Sequence, residues 1–349
     1  MSVVSILLLI AGCVVVSAAA TGLVLFWLRH RRIVDHPNER SSHDRPTPRG
    51  GGLAVMAVIT VAWAGLTIGG AAPWTTIPIL VLGLALAVVS WRDDLASLPV
   101  GVRLAAQAVA IAAGLFFLPG IGGVFQGMLP PWLDILATGL LWAWFVNLFN
   151  FMDGIDGITG AEAVALGLGI ALVAVIVADP NDGRAPLGVA LAAAALGFLV
   201  WNWHPAKLFL GDVGSVPLGF LIGWLLLGLA GRGYWAAALI LPLYYLADAS
   251  LTLVRRLLTG ERVWRPHRQH FYQRAVQRGL SHGAVTGLII LANLGLIVLA
   301  AAAVWWHALE WPAIGLAVIL VGLLLHRLSQ GARRGLGPDV EPPIADGSA

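Results

Sequence analysis

The chain has 349 residues, of which 59% are hydrophobic and only 11% are charged, and its formal net charge is +3. This charged fraction lies far below the roughly 25% of soluble domains, so it predicts an integral membrane protein. A single cysteine, Cys13, excludes an internal disulfide, a cysteine-rich zinc site and a redox pair.

Apolar segments that could cross a bilayer follow one another along almost the whole chain. A helix rises about 1.5 Å per residue and the hydrocarbon core is about 30 Å thick, so a span needs close to 20 apolar residues. The first segment is too long for a signal peptide and is expected to be retained. We expect an all-α polytopic membrane protein with eleven spans, at 3–28, 53–70, 76–91, 102–118, 131–149, 160–178, 187–203, 215–230, 234–254, 283–305 and 312–326.

Basic residues sort to one side of this layout. If the loop 29–52 is inside, 19 of the 21 Lys and Arg residues lie inside, and only Arg184 and Arg232 lie outside. This asymmetry fits the positive-inside tendency, so we expect an outside N-terminus and a cytoplasmic C-terminus. Residues 1–335 are expected to form one membrane domain, and 336–349, rich in Pro, Gly and Asp, a disordered tail.

Five polar segments are each separated by two spans, so they share the inside face. Acidic residues at helix ends are costly unless they face water, a partner or a ligand, which makes this face a predicted site. The segments read RPTPRGGG (45–52), WRDDLAS (91–97), NFMDGIDG (150–157), WHPAKLFLGDVGS (203–215) and RPHRQHFYQR (265–274).

The charged residues of these segments predict a metal and a phosphate-bearing substrate. Clustered carboxylates repel one another unless a cation lies among them. Mg²⁺ prefers oxygen ligands together with substrate phosphates, and Mn²⁺ is the alternative. Phosphoryl transfer depends chiefly on positioning and charge neutralisation, which basic groups supply. The acids are Asp93, Asp94, Asp153, Asp156 and Asp212, and the bases are Arg45, Arg49, Lys207, Arg265, His267, Arg268 and His270.

Taken singly, these motifs have simpler interpretations. Asp93 and Asp94 could mark the water boundary of a helix, and DGIDG could be two Asp-Gly turns.

Taken together and in order, the motifs resemble those of the polyprenyl-phosphate N-acetylhexosamine-1-phosphate transferases, glycosyltransferase family 4, over nearly the whole chain. NLFNFMDGIDG is similar to the family's Asn-x-x-Asn-x-x-Asp-Gly-φ-Asp-Gly signature, and FLGDVGSVPLG to its Gly-Asp-x-Gly-Ser signature. The resemblance implies Mg²⁺-dependent transfer of a sugar 1-phosphate from a UDP-N-acetylhexosamine to undecaprenyl phosphate, with release of UMP. It further implies a cytoplasmic active site in the bacterial inner membrane, a lateral groove for the prenyl chain and no nucleic-acid partner. A homodimer is suggested only by analogy with the family.

The resemblance also implies roles for individual residues. Asp212, with Asp153, looks like the metal site, and Asp93 and Asp94 look like the paired catalytic carboxylates near the lipid phosphate. Direct attack by that phosphate is favoured, because a monoester with a second pKa near ~6 is already largely ionised at neutral pH. The nucleotide and metal lining would comprise Asn147, Asn150, Asp153 and Asp156. The remaining substrate-binding residues would be Arg45, Arg49, Lys207, His267, Arg268 and His270.

Two departures bear on the substrate. Ser97 stands where the peptidoglycan branch of the family has Lys, and HRQH replaces that branch's three consecutive histidines. Both argue against a MurNAc-pentapeptide donor. The run from PNERSSH to PTPRGGG and the segment RPHRQHFYQR look most like the O-antigen-initiating branch, with the sugar left open.

Three alternatives are set below this interpretation. The first is phospho-MurNAc-pentapeptide transfer. The second is a proton- or cation-coupled transporter, whose carboxylates would lie near the bilayer midplane. The third is a CDP-alcohol phosphotransferase, whose aspartates would lie in one segment.

Overall fold

The computed structural model describes residues 1–35, 46–179, 183–262 and 267–331, and most of these are helical. The predicted all-α class is confirmed. Arg45, Arg265 and the predicted tail 336–349 lie outside the described residues. The helices are α1 (Val3–Arg31), α2 (Gly52–Ile68), α3 (Thr76–Ala96), α4 (Val100–Leu115), α5 (Pro131–Phe151), α6 (Ile158–Val177), α7 (Arg184–Asn202), α8 (Asp212–Ala230), α9 (Trp235–Ile240), α10 (Leu243–Leu258), α11 (Phe271–Gln277), α12 (His282–Trp305) and α13 (Glu310–Gln330).

Within the described residues, eight helical segments are long and apolar enough to cross a membrane. They are α1, α3, α5, α6, α7, α8, α12 and the segment His307–Gln330, which contains α13. The helices α2 and α4 are apolar but shorter. The chain is therefore a multi-pass membrane protein. Each of the eleven predicted spans coincides with helix, whereas eleven crossings stay a prediction.

The ninth predicted span, 234–254, is divided between α9 and α10. Pro242 lies at the break. Proline interrupts a helix because it lacks an amide hydrogen and its ring clashes with the carbonyl four residues earlier. After the break, Asp248, Thr252 and Arg256 are all buried and lie four residues apart. They therefore share one polar face of α10.

The helix α8 is buried along nearly its whole length and packs against α2, α3 and α5. Trp142 of α5 stacks on Phe220 of α8, with ring centroids 4.7 Å apart. Such packing fixes where α8 begins, and its first residue is Asp212. The predicted Gly-Asp-x-Gly-Ser motif thus lies at the start of the most buried of the eight candidate spans within the described residues.

The glycine-rich segment before α2 is joined to the loop before α8. The two short strands β1 (Val34–Asp35) and β2 (Thr47–Pro48) pair antiparallel, and Arg49 then pairs in parallel with Phe209. The amides of Gly50 and Gly51 donate to the Phe209 carbonyl at 3.1 and 2.8 Å. This pairing carries Arg49 to the start of α8.

Glycine is required where α2 meets α8. A Cβ atom added to Gly52 would lie 2.2 Å from the Cα atom of Gly214. That separation is far below any van der Waals contact, so only glycine allows the two helix starts to approach this closely.

Candidate active site

All five polar segments contribute to one cavity of about 640 Å³. One lining residue from each segment shows this convergence: Arg49, Asp93, Asp153, Asp212 and His267. The prediction that these segments share one face of the molecule is therefore confirmed. On which side of a membrane this face lies stays a prediction.

Arg49 joins two of the predicted aspartates. Its Nε atom lies 2.9 Å from Oδ1 of Asp94, and its Nη2 atom lies 2.5 Å from Oδ1 of Asp212. Burial by itself lowers the pKa of the Arg49 guanidinium, but the Asp212 and Asp94 carboxylates raise that pKa above its ordinary value. Arg49 thus stays charged and bridges α3 to α8.

The adjacent residues Asp93 and Asp94 are used differently. Asp94, with a side chain only 3% exposed, accepts hydrogen bonds from the backbone amides of Asp212 (3.1 Å) and Val213 (2.9 Å). It therefore caps the N-terminus of α8, where a carboxylate favours the helix dipole. Asp93 accepts from the Leu98 amide at 2.6 Å and lines the cavity.

Arg103 of α4 is a site residue that was not among the predicted ones; it was counted only among the 19 Lys and Arg residues expected inside. Its Nη1 atom lies 3.0 Å from Oδ2 of Asp93 and 3.9 Å from Oδ2 of Asp212. The available signal was its position within the first turn of the helix that follows WRDDLAS, close to the inside face.

A second cavity of about 220 Å³ adjoins the first between α3, α4 and α5. Its wall is largely apolar, with Leu86, Val89 and Leu104 among the lining residues. Asp93 and Arg103 line both cavities, so the apolar space opens at charged groups.

The two predicted asparagines of α5 lie at the boundary between these cavities. Asn147 lines the smaller cavity and donates to Oε1 of Gln107 at 2.7 Å. Asn150 lines both cavities and donates to Oγ of Ser215 at 2.9 Å.

Asp153 differs from Asp93, Asp156 and Asp212 of the same cavity because no ion pair holds it among the described residues. The pKa of Asp153 is raised to about 6. Burial is the main cause and the negative charge of Asp212 adds to it, while a hydrogen bond with Thr159 and the charge of Arg49 oppose the rise. A carboxylate in this setting is stabilised by an added cation.

The acidic residues present fit a divalent cation at Asp153 and Asp212. Both line the cavity, carry the oxygen ligands that Mg²⁺ prefers, and lie near enough to disfavour one another's charge. Asp94 does not fit this role, because both of its oxygens are occupied by Arg49 and by the α8 amides.

Asp156 forms a separate cluster with His204 and His282. Nδ1 of His204 lies 2.7 Å from Oδ2 of Asp156, and Nδ1 of His282 lies 3.3 Å from Oδ1. Burial alone raises the pKa of Asp156, but hydrogen bonds from His282 and His204 hold that pKa below its ordinary value. These three side chains could also hold a metal ion, since their ligand atoms lie within 4.8 Å of one another.

Of the other predicted basic residues that the structure describes, one lines the cavity and three do not. His267 lines the cavity, and burial together with the neighbouring His270 lowers the pKa of His267 to about 4. His270 is buried behind it. Arg268 is exposed and does not line the cavity, and Lys207 lies over the Trp201 ring, 5.5 Å from the centroid.

These features define a polytopic membrane protein with a charged cavity at one end of its helices and an apolar cavity beside it. The chain belongs to glycosyl transferase family 4, whose sequence pattern matches residues 76–230.

Three relatives illustrate the similarity. The decaprenyl-phosphate N-acetylglucosaminephosphotransferase of Mycobacterium leprae is 30% identical, over 88% of this chain and 86% of the relative. The probable undecaprenyl-phosphate N-acetylglucosaminyl 1-phosphate transferase of Bacillus subtilis is 29% identical, over 82% of this chain and 81% of the relative. The undecaprenyl-phosphate alpha-N-acetylglucosaminyl 1-phosphate transferase of Escherichia coli K12 is 27% identical, over 90% of each chain.

Proposed function

We propose that this protein transfers an N-acetylhexosamine 1-phosphate, with N-acetylglucosamine 1-phosphate as the first candidate, from a UDP-sugar to a polyprenyl phosphate such as undecaprenyl phosphate. The relatives' names support the polyprenyl-phosphate acceptor and the N-acetylglucosamine group. The observation that carries the proposal is the junction of a charged cavity with an apolar one at Asp93 and Arg103.

The smaller cavity suits the lipid acceptor. A polyprenyl phosphate has an apolar chain and an anionic head, and this cavity has an apolar wall that ends at the Arg103 guanidinium. Arg103 would bind the head group by charge-assisted hydrogen bonds. Asp93, which pairs with Arg103 at 3.0 Å, would hold that guanidinium in place until the phosphate arrives.

The larger cavity suits the nucleotide sugar. Its volume of about 640 Å³ falls in the range of small-molecule sites. Arg49 stands at one side and would lie near the diphosphate. His267 is neutral at pH 7 because of its lowered pKa, so it would contribute hydrogen bonds and no charge.

The proposed reaction exchanges one phosphoanhydride for another. An oxygen of the lipid phosphate attacks the phosphorus that bears the sugar, and the bond from that phosphorus to the bridging oxygen breaks. The electron pair leaves with UMP, while the anomeric C–O bond stays intact, so the anomeric configuration is retained. Arg49 and Arg103 stabilise the negative charge on the transferred group.

Mg²⁺, or Mn²⁺ in its place, is proposed as the cofactor. Asp153 and Asp212 would hold the ion, which when bound supplies positive charge to the diphosphate oxygens. We also propose a cytoplasmic active site in the bacterial inner membrane and a product that initiates envelope polysaccharide of the O-antigen type.

The test is an assay of purified, lipid-reconstituted protein with undecaprenyl phosphate, Mg²⁺ and a panel of UDP-sugars. We expect one UDP-N-acetylhexosamine to give UMP and a prenyl-diphosphate sugar in equal amounts, and both products to disappear on chelation. UMP without a lipid product would indicate hydrolysis and would contradict the transferase. Absence of both products with every donor, in folded protein, would overturn the proposal.

A further inference from the structure

A fully buried carboxylate, Asp248 of α10, lies behind the histidine segment and outside the cavity. An unpaired charge in such a place is costly unless many donors compensate it. Asp248 has five donors. They are the amides of Phe271 (3.0 Å) and Tyr272 (3.3 Å), Nδ1 of His270 (3.2 Å), and the hydroxyls of Tyr244 and Thr252 (both 3.3 Å).

Three of these donors belong to the segment that carries His267. The amides of Phe271 and Tyr272 open α11, where a helix has unpaired N–H groups, so Asp248 completes the start of this helix. The His270 ring is held by the same carboxylate, with its Nδ1 atom 3.2 Å from Oδ1 of Asp248.

His270 in turn supports His267. Their ring centroids are 4.9 Å apart with an angle of 32° between the planes, and His270 stacks on Tyr272 at 5.6 Å. Of the two histidines only His267 lines the cavity. The buried ring therefore acts as a support for the ring that faces the cavity.

The same short helix supports the loop that holds Asp153 and Asp156. The Tyr272 hydroxyl donates to the Phe151 carbonyl at 3.1 Å, and a Cβ atom on Gly154 would lie 2.2 Å from that hydroxyl oxygen. A shift of α11 would therefore move both the histidine and the aspartate loop.

We propose that Asp248 is a positioning residue, which sets His267 and α11 against the cavity through His270 and the first amides of α11. The inference rests on the proposed function only in its kinetic consequence, because the placement of α11 can be measured without substrate.

The matched control is Asp134, a second fully buried carboxylate. Asp134 lies on α5, accepts from the Phe125 amide at 2.9 Å and from Thr138 at 3.3 Å, and does not line the cavity. Both Asp248→Asn and Asp134→Asn remove a buried charge. Only Asp248→Asn places an amide NH₂ group against the donors that open α11.

The first measurement is amide hydrogen exchange of the two variants in detergent. We expect faster exchange over residues 267–277 in Asp248→Asn than in Asp134→Asn and the unsubstituted protein. Equal protection of this segment in all three proteins would overturn the inference, whether or not the protein turns over a UDP-sugar.

The second measurement is a double-mutant cycle with His267→Ala in the transferase assay. Asp248→Asn should raise the KM for the UDP-sugar about tenfold, by misplacing a contact group, and leave the KM for the lipid phosphate unchanged. In the His267→Ala background its effect should be clearly smaller, because the part that acts through His267 is already lost. If the KM changes of Asp248→Asn and His267→Ala are additive, or if the KM rises equally for both substrates, Asp248 has only a structural role.

His270→Ala serves if Asp248→Asn does not fold, because it removes the ring link and leaves the α11 amides on Asp248. We expect a smaller rise in the same KM, about threefold, from the loss of that one support. An unchanged KM would contradict the route through His270.

Discussion

The two sides of the cavity hold their carboxylates by different partners. On one side, Asp94 and Asp212 are joined by Arg49, whose guanidinium keeps its proton at every working pH. On the other, Asp156 is held by His204 and His282, and His267, whose pKa burial lowers to about 4, lines the same cavity. The positive charge on the arginine side is therefore independent of pH and forms a permanent electrostatic frame. On the histidine side, the charge of His267 changes as the pH falls.

The largest expected effect is on the arginine side, where Asp212 also stands next to Asp153. Asp212→Asn removes a charge that Arg49 and the proposed metal share, so we expect turnover to fall at least ~10³-fold. UMP release by folded protein over a range of Mg²⁺ concentrations measures this. Turnover close to that of the unsubstituted protein at every Mg²⁺ concentration would take Asp212 out of the metal site.

Asp179→Asn is the control for that change. Asp179 pairs with Arg232 at 2.5 Å and follows the far end of α6, whose first residues lie next to the cavity. We expect turnover close to that of the unsubstituted protein.

The close contact between α2 and α8 positions the arginine side, and a substitution at Gly52 should disrupt it. Gly52→Ala places a Cβ atom 2.2 Å from the Gly214 Cα atom, so α2 and the start of α8 must separate. We expect a loss of about 3 kcal/mol in the free energy of unfolding, the upper part of the range for overpacking. Gly65→Ala in the same helix has open space around it and should leave the melting temperature in detergent unchanged. Equal melting temperatures for the two variants would contradict the close approach.

The helices and the acidic residues of this frame could be predicted from the sequence. Apolar length predicts the helices because each must satisfy its own backbone in lipid. The aspartates are conspicuous because charge at a span end is costly. The join between Arg49 and Phe209 could not be predicted, since backbone pairing across 160 residues leaves no local pattern.

The histidine side was predicted less completely. His267 was predicted from its motif, but His282 was not, because it lies at the first turn of an apolar helix. Asp248 was hidden inside the predicted span 234–254. Two local signals could have revealed it: Pro242, which breaks that span, and an acidic residue within an apolar run.

Asp93 and Asp94 offer a finer test of the frame. Asp94→Asn turns an NH₂ group toward the α8 amides and Arg49, so we expect a loss of about 2 kcal/mol in unfolding free energy, less than for a fully buried pair because Arg49 is 35% exposed. Asp93→Asn leaves the α8 cap intact and should lower turnover with a smaller shift in melting temperature. A larger loss of stability in Asp93→Asn than in Asp94→Asn would mean that Asp93, and not Asp94, stabilises the start of α8.

The smallest expected effect tests the pH sensitivity of the histidine side. His267 has a pKa of about 4 in the folded protein and an ordinary value of 6.5, so the unfolded chain takes up a proton first as pH falls. Stability is therefore unaffected above pH 6.5 and falls as the pH drops from 6.5 toward 4. The loss at pH 5 should be about 1 kcal/mol, because the half-buried ring is partly screened by solvent.

His267→Gln should abolish that loss, so melting temperatures at pH 7 and pH 5 should differ less in the variant than in the unsubstituted protein. His307→Gln is the control, because His307 is 74% exposed and pairs only with Glu310 among the contacts described. The Asp156 contribution falls outside this window, since its lowered pKa keeps the carboxylate ionised until the pH drops below its ordinary value of 3.8. An equal pH response in both histidine variants would mean that acid sensitivity arises elsewhere than at the cavity, and the contrast between its two sides would then lie in geometry alone.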